Sequence, residues 1–172
     1  MRQAPLRLVV GWRFRSARPD AASLAWIRDP GSLTRRLQQR AGGRFRVRVT
    51  RLGFARPRRD EREELRIPAC EWALIREVVL EGCGEPWVVA RSVIPLATLK
   101  GANRRLRFLG DRPLGAFLFR DPTLRRDAVR VVRHDGAWGR RSRFCLRGRP
   151  LLVAECFLPA LLSAGDTPGP TG

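Results

Sequence analysis

The period of the apolar positions changes several times along the chain. Asp20 ahead of Leu24, Trp26 and Ile27 marks a short N-capped helix, and the run from Ser32 to Gly42-Gly43 marks a second one with a glycine stop. From Arg44 the period drops to two. Phe45, Val47 and Val49 alternate with Arg44, Arg46 and Arg48, which predicts a half-buried strand with a solvated arginine face. PRRDEREEL (57–65), a mixed-sign charge run with a proline, reads as a solvated loop. ALIREVVLE and PWVVARSVIP, rich in β-branched residues, flank residues 82–85 and predict a hairpin with a four-residue loop. Residues 96–109 read as helical, RPLGAFLF (112–119) as a short helix or turn, and DAVRVVR (127–133) as a strand. RRSRFCLR and PLLVAECFLP, joined at Gly148-Arg149, make a second hairpin. Helices clustered early and mid-chain beside adjacent hairpins predict an α+β fold on an antiparallel sheet.

Three charges fall on faces that should be apolar. Strand alternation puts Arg76 with Leu74, Val78 and Leu80, Arg91 with Trp87, Val89 and Val93, and Glu155 with Leu151, Val153 and Phe157. A four-residue loop and regular pairing would set Arg76 directly opposite Arg91. Like charges facing across a sheet are destabilising, and a desolvated cation without a partner is costly by several kcal/mol. The positions therefore call for an anion, either a core carboxylate such as Glu155 or an acidic ligand. A one-residue bulge would remove the opposition altogether.

Composition narrows the field. The 172 residues fit one domain, set here as 1–162, with SAGDTPGPTG from Ser163 as a disordered tail (163–172). The net charge of +19 first suggests nucleic acid, but 34 of the 35 basic residues are arginine, Lys100 being the exception, and they are spread through every segment. That spread suggests coding bias more than a phosphate-binding stripe, so no nucleic-acid partner is expected. Cys70, Cys83, Cys145 and Cys156 have no C-x-x-C spacing and His134 is the one histidine, so neither a metal nor a zinc site is expected. The apolar stretch in MRQAPLRLVVGWRFR is short for a signal peptide, and no integral membrane segment is evident. A soluble, cytoplasmic protein with reduced cysteines follows.

His134 in HDGAWG reads as a surface residue and receives no role. Arg140, Arg141 and Arg143 in WGRRSRF could hold a carboxylate or phosphate, although their alternation leaves at least one set facing solvent. There is no P-loop, G-x-G-x-x-G or G-x-S-x-G motif.

Taken in order, GSLTRRL, REVVL, EPWVVARSVIP, RPLGAFLF, WGRRSRF and RPLLVAECFLP make the chain resemble the chorismate pyruvate-lyases, which form 4-hydroxybenzoate for ubiquinone. The resemblance runs from about Asp29 to Pro159. It implies a single sheet of about six antiparallel strands flanked by helices, a monomer without cofactor, and a ligand enclosed beneath helical flaps. It assigns Arg76 to the ring carboxylate, Glu155 to the hydroxyl end, and the backbone N–H groups of Leu33 and Leu114 to the carboxylate. Leu33 stands where many members have Met, and Cys156 is a further departure. Chorismate carries two carboxylates, and the hairpin register offers Arg91 for the second.

The resemblance thus implies catalytic roles for Glu155, Arg76 and Arg91, and substrate contacts by Leu33, Arg76, Leu114 and Glu155. The enol-ether C–O bond breaks, pyruvate leaves and the ring becomes aromatic, with chorismate and 4-hydroxybenzoate as the small-molecule partners. Proton transfer is either pericyclic or assisted by Glu155 and an arginine. The alternative is a non-catalytic small aromatic-acid-binding domain of the same fold, as in effector domains of transcription regulators. Those carry a helix-turn-helix, for which the 28 residues ahead of Asp29 leave no room. Peripheral contact between the basic surface and anionic membrane stays open.

Overall fold

The computed structural model describes residues 18–163. Five α-helices, α1 (Ala21–Ile27), α2 (Leu33–Ala41), α3 (Arg59–Leu65), α4 (Leu114–Leu118) and α5 (Pro159–Ser163), and a 3-10 helix over Gly101–Phe108 surround one sheet. Its strands are β1 (Phe45–Ala55), β2 (Ala73–Gly82), β3 (Glu85–Pro95), β4 (Arg125–Arg126), β5 (Arg130–His134), β6 (Ala137–Leu146) and β7 (Arg149–Phe157). All pairings are antiparallel in the order β1-β2-β3-β7-β6-β4, with β5 also on β6. The seventh strand beyond the expected six is β4, two residues long. Ser163 is the last residue of α5; residues 164–172, on which the expected tail falls, and the N-terminal stretch 1–17 lie outside the described residues.

The caps follow from the sequence. Asp20 accepts from the Ser23 amide at 2.8 Å, and Ser32 accepts from Arg35 at the head of α2, which Gly42 ends in the left-handed region at φ 53°. The 57–65 run differs from expectation. It is helix α3, with Glu61 and Leu65 buried, because its acids meet arginines from the sheet. Charge density along the chain gave no sign that this face would be covered.

The sheet is covered on both sides. On one face Trp26 and Ile27 of α1, with Leu33 and Leu37 of α2, pack on Val78, Leu80, Ala90 and Phe157. Leu106, Leu109, Leu114 and Leu118 continue that layer over Leu74, Ile94, Phe144 and Val153. On the other face Leu65 of α3 meets Ala73, Ile75, Val93 and Leu152. Burying each Leu, Ile, Val or Phe among them contributes about 1.5–3 kcal/mol.

The β2–β3 hairpin decides which residues share a face. The chain turns at Cys83-Gly84, both at positive φ, with Gly82 paired to Glu85. The register then slips by one between Leu80 and Glu81, leaving Trp87 unpaired. A side chain at Gly82 would overlap the Trp87 ring, so the bulged tryptophan lies over bare backbone. Past the bulge Arg76 faces Ser92, and Arg91 faces Glu77.

Candidate active site

Arg76, 2% exposed, points from β2 into the layer between the sheet and helices α2 and α4. Its Nη2 donates to the carbonyls of Gly110 (3.0 Å) and Arg112 (2.9 Å), in the loop leading to α4. Its Nε is buried and has no hydrogen-bond partner among the described residues. Burial pulls the guanidinium pKa below its usual value, partly offset by the charge of Asp111, so the site favours an anion.

Two strands across, Glu155 of β7 faces the same space. Its Oε2 accepts from Arg140 Nε at 2.6 Å, and Arg140 Nη1 donates to the carbonyls of Trp26 (3.2 Å) and Asp29 (2.7 Å). The register pairs Arg140 with Glu155 across β6 and β7. Arg126 of β4 stands beside them, with Nε bonded to the Ser142 hydroxyl at 3.0 Å and its guanidinium 5.4 Å from the centre of the Phe144 ring.

Leu33 and Leu114, 3% and 6% exposed, close the opposite wall as the first residues of α2 and α4, where backbone N–H groups have no acceptor within the helix. The two helices meet at Gly115, where an added Cβ would lie 2.8 Å from Thr34 Oγ1, so glycine permits this close approach. The cavity so enclosed measures about 40 Å³. That is room for about three or four waters at ~10–15 Å³ each, less than a ring compound fills.

Arg91, expected opposite Arg76, does not reach this site. The bulge at Trp87 rotates it onto the opposite face, away from Arg76. There Glu61 binds it through both oxygens at 2.6 and 2.9 Å, and Glu77 accepts at 2.6 Å. These bonds raise its pKa against the opposing effect of burial. Arg141 lies on the same face, 2% exposed, paired with Asp60 at 2.7 Å and Glu64 at 2.8 Å. Neither arginine set of WGRRSRF therefore faces solvent as expected: Arg140 and Arg141 are buried, and Arg143 is half-buried on Asp127. The sequence offered Arg140, Arg141 and Arg143 together as holders of a carboxylate or phosphate, and of these Arg140 meets Glu155 on the pocket face; Arg126, Ser92 and Thr34 carried no sequence signal.

His134 is buried in β5, contrary to its reading as a surface residue, next to the two-residue turn Asp135-Gly136. Burial, with Asp135 nearby, pushes the Cys156 thiol up to about 12, so it stays protonated and inert. All four cysteines are unpaired. Among the described residues, no His, Cys, Asp or Glu cluster suits a metal and no helix is long and apolar enough to cross a membrane.

The architecture has counterparts among solved structures. A possible transcriptional regulator, YydK of Bacillus subtilis, superposes with a TM-score of 0.50 at 12% identity, over 69% of this chain and 60% of its own. A gene product of Staphylococcus aureus, SA0254, does so at 0.50 and 14% identity, over 69% and 86%. The class these structures share with it is an α+β fold on one antiparallel sheet. The chain belongs to the chorismate lyase family, whose sequence model matches residues 15–165. A probable chorismate pyruvate-lyase of Methylococcus capsulatus is 45% identical over 159 residues, 83% of this chain and 98% of its own. The chorismate pyruvate-lyase of Pectobacterium atrosepticum is 40% identical over 134 residues, 78% and 75% of the two chains.

Proposed function

We propose that the protein is a chorismate lyase, cleaving chorismate to 4-hydroxybenzoate and pyruvate at the entry to ubiquinone synthesis. The supporting observation is the convergence of Arg76, Glu155, Leu33 and Leu114 on one enclosed cavity in a chain of this family. Arg76 takes the ring carboxylate, helped by the Leu33 and Leu114 amides. Glu155, held by Arg140, takes the ring hydroxyl.

The product keeps its hydroxyl, so the hydrogen that leaves comes from the hydroxyl-bearing carbon while the neighbouring ether C–O bond breaks. That proton ends on the enolpyruvyl methylene, which becomes the methyl of pyruvate. The protein's contribution is to hold the enolpyruvyl group over that hydrogen in a closed, dry space, which is worth several kcal/mol. In this reading Glu155 orients the hydroxyl on the carbon where the hydrogen is lost. The protein acts as a cytoplasmic monomer without metal or redox cofactor.

A spectrophotometric assay tests this. Purified protein in EDTA should release 4-hydroxybenzoate and pyruvate in equal amounts, with product inhibition. Binding of 4-hydroxybenzoate without any turnover of chorismate would replace this reading with the effector-binding one.

A further inference from the structure

The pocket face has more positive charge than its own carboxylate can balance. Arg140 is matched by Glu155, but Arg76 is bonded to two carbonyls, and Arg126 to the Ser142 hydroxyl and, at 3.4 Å, the Asp29 carbonyl. Neither Arg76 nor Arg126 forms an ion pair with a carboxylate among the described residues. Burial and the like charge of Arg140 pull the Arg126 pKa below its usual value, offset in part by Glu155 and Asp29.

Chorismate is a dianion whose two carboxylates are attached at different ring positions. Its ether is on the ring carbon next to the hydroxyl-bearing one, so the enolpyruvyl carboxylate lies toward the hydroxyl end, away from the ring carboxylate. With Arg76 on the ring carboxylate, the second carboxylate falls on the side of Glu155, Arg140 and Arg126. Arg91 is excluded because the sheet lies between.

We propose that Arg126, with Arg140 beside it, forms a second carboxylate site that receives the enolpyruvyl carboxylate of chorismate. This rests on the chorismate lyase reading and adds the group that distinguishes substrate from product. It also gives β4 a purpose. Two residues contribute little to the sheet, but pairing Arg126 with Phe144 holds the guanidinium over that ring and on the Ser142 hydroxyl, beside Arg140 and Glu155. Bound substrate would neutralise both unmatched arginines, and loss of pyruvate would leave Arg126 unmatched again.

The experiment compares wild type, Arg126→Gln and Arg126→Lys for chorismate KM and binding, 4-hydroxybenzoate affinity and thermal midpoint. The glutamine variant should bind chorismate about ten- to a hundredfold more weakly, the range of a lost charge-assisted contact. Lysine should recover part of that, and 4-hydroxybenzoate affinity should change little in either variant. Equal losses for both ligands would make Arg126 structural, and an unchanged chorismate affinity would remove the site; either overturns the proposal. If wild type binds both acids without turnover, the lyase reading fails, while chorismate titrations of the same variants still decide the second site.

Discussion

The two faces of this sheet treat buried arginine in opposite ways. Under α3, Arg91 and Arg141 meet Glu61, Glu77, Asp60 and Glu64, with Arg58 as a third cation at the helix start. Under α2 and α4, Arg140 pairs with Glu155, while Arg76 and Arg126 are held by carbonyls and a hydroxyl. The first face is satisfied within the protein and works as a fastener. The second holds more buried cation than carboxylate, which is what the proposed site for a dicarboxylate requires. A charge on an apolar strand face thus has two meanings, and the covering helix decides between them.

The largest effect should come from breaking the matched face. Glu61→Ala leaves Arg91 with Glu77 alone and removes a cap from the Arg58 amide, so stability should fall by about 3–5 kcal/mol in chemical denaturation. The relative affinity for chorismate and 4-hydroxybenzoate should be unchanged in the folded fraction. A selective loss of chorismate binding would return Arg91 and its partners to the active site.

On the unmatched face the balance should reverse. Arg76→Ala should weaken both ligands roughly ten- to a hundredfold, a charge-assisted contact being worth about 1.5–3 kcal/mol. The ligand-free thermal midpoint should hold or rise, because an uncompensated buried cation is removed. A fall as large as that of Glu61→Ala would mean the two faces do not differ.

Glu155 sharpens the contrast within the site. Glutamine keeps an acceptor of nearly the same shape without proton affinity, so an orienting role predicts residual turnover within about tenfold of wild type, and a larger loss in Glu155→Ala. Folded variants that both lose about a hundred- to ten-thousandfold would instead make Glu155 an essential base. Thermal melts separate such losses from unfolding.

The smallest effect concerns how Arg140 is held, by helix carbonyls as well as a carboxylate. Asp20→Ala removes the cap of α1, which carries the Trp26 carbonyl, and should cost about 1 kcal/mol. The Ser23 amide and hydroxyl hold the Asp20 carboxyl below its ordinary pKa of 3.8. A depressed folded pKa stabilises above the unfolded value. The gap between wild type and variant should therefore persist at neutral pH and close as pH falls below about 4. A gap independent of pH would remove the carboxylate from the cap.

Much of this molecule was legible in the chain because it rests on local rules. Helix caps at Asp20 and Ser32, the glycine stop at Gly42, the alternation of β1, and the inward positions of Arg76 and Glu155 are set by near neighbours and the period of two. The resemblance added Leu33 and Leu114 as members of the same site. What failed had long-range causes. PRRDEREEL looked solvated because its arginine partners lie up to 81 residues away in sequence. Arg126 gave no signal because β4 is too short to show a period.

The sequence by itself determined that charges would be buried on strand faces and that anions had to meet them, since transfer of an ion from water is costly wherever it occurs. Tertiary structure decided which charge meets which. One unpaired residue, Trp87 resting on bare Gly82, moves every position beyond it by one, and a one-residue shift in a strand exchanges its faces. That shift takes Arg91 from the pocket to the acids of α3 and leaves Arg76 facing Ser92, with its anion still to be supplied.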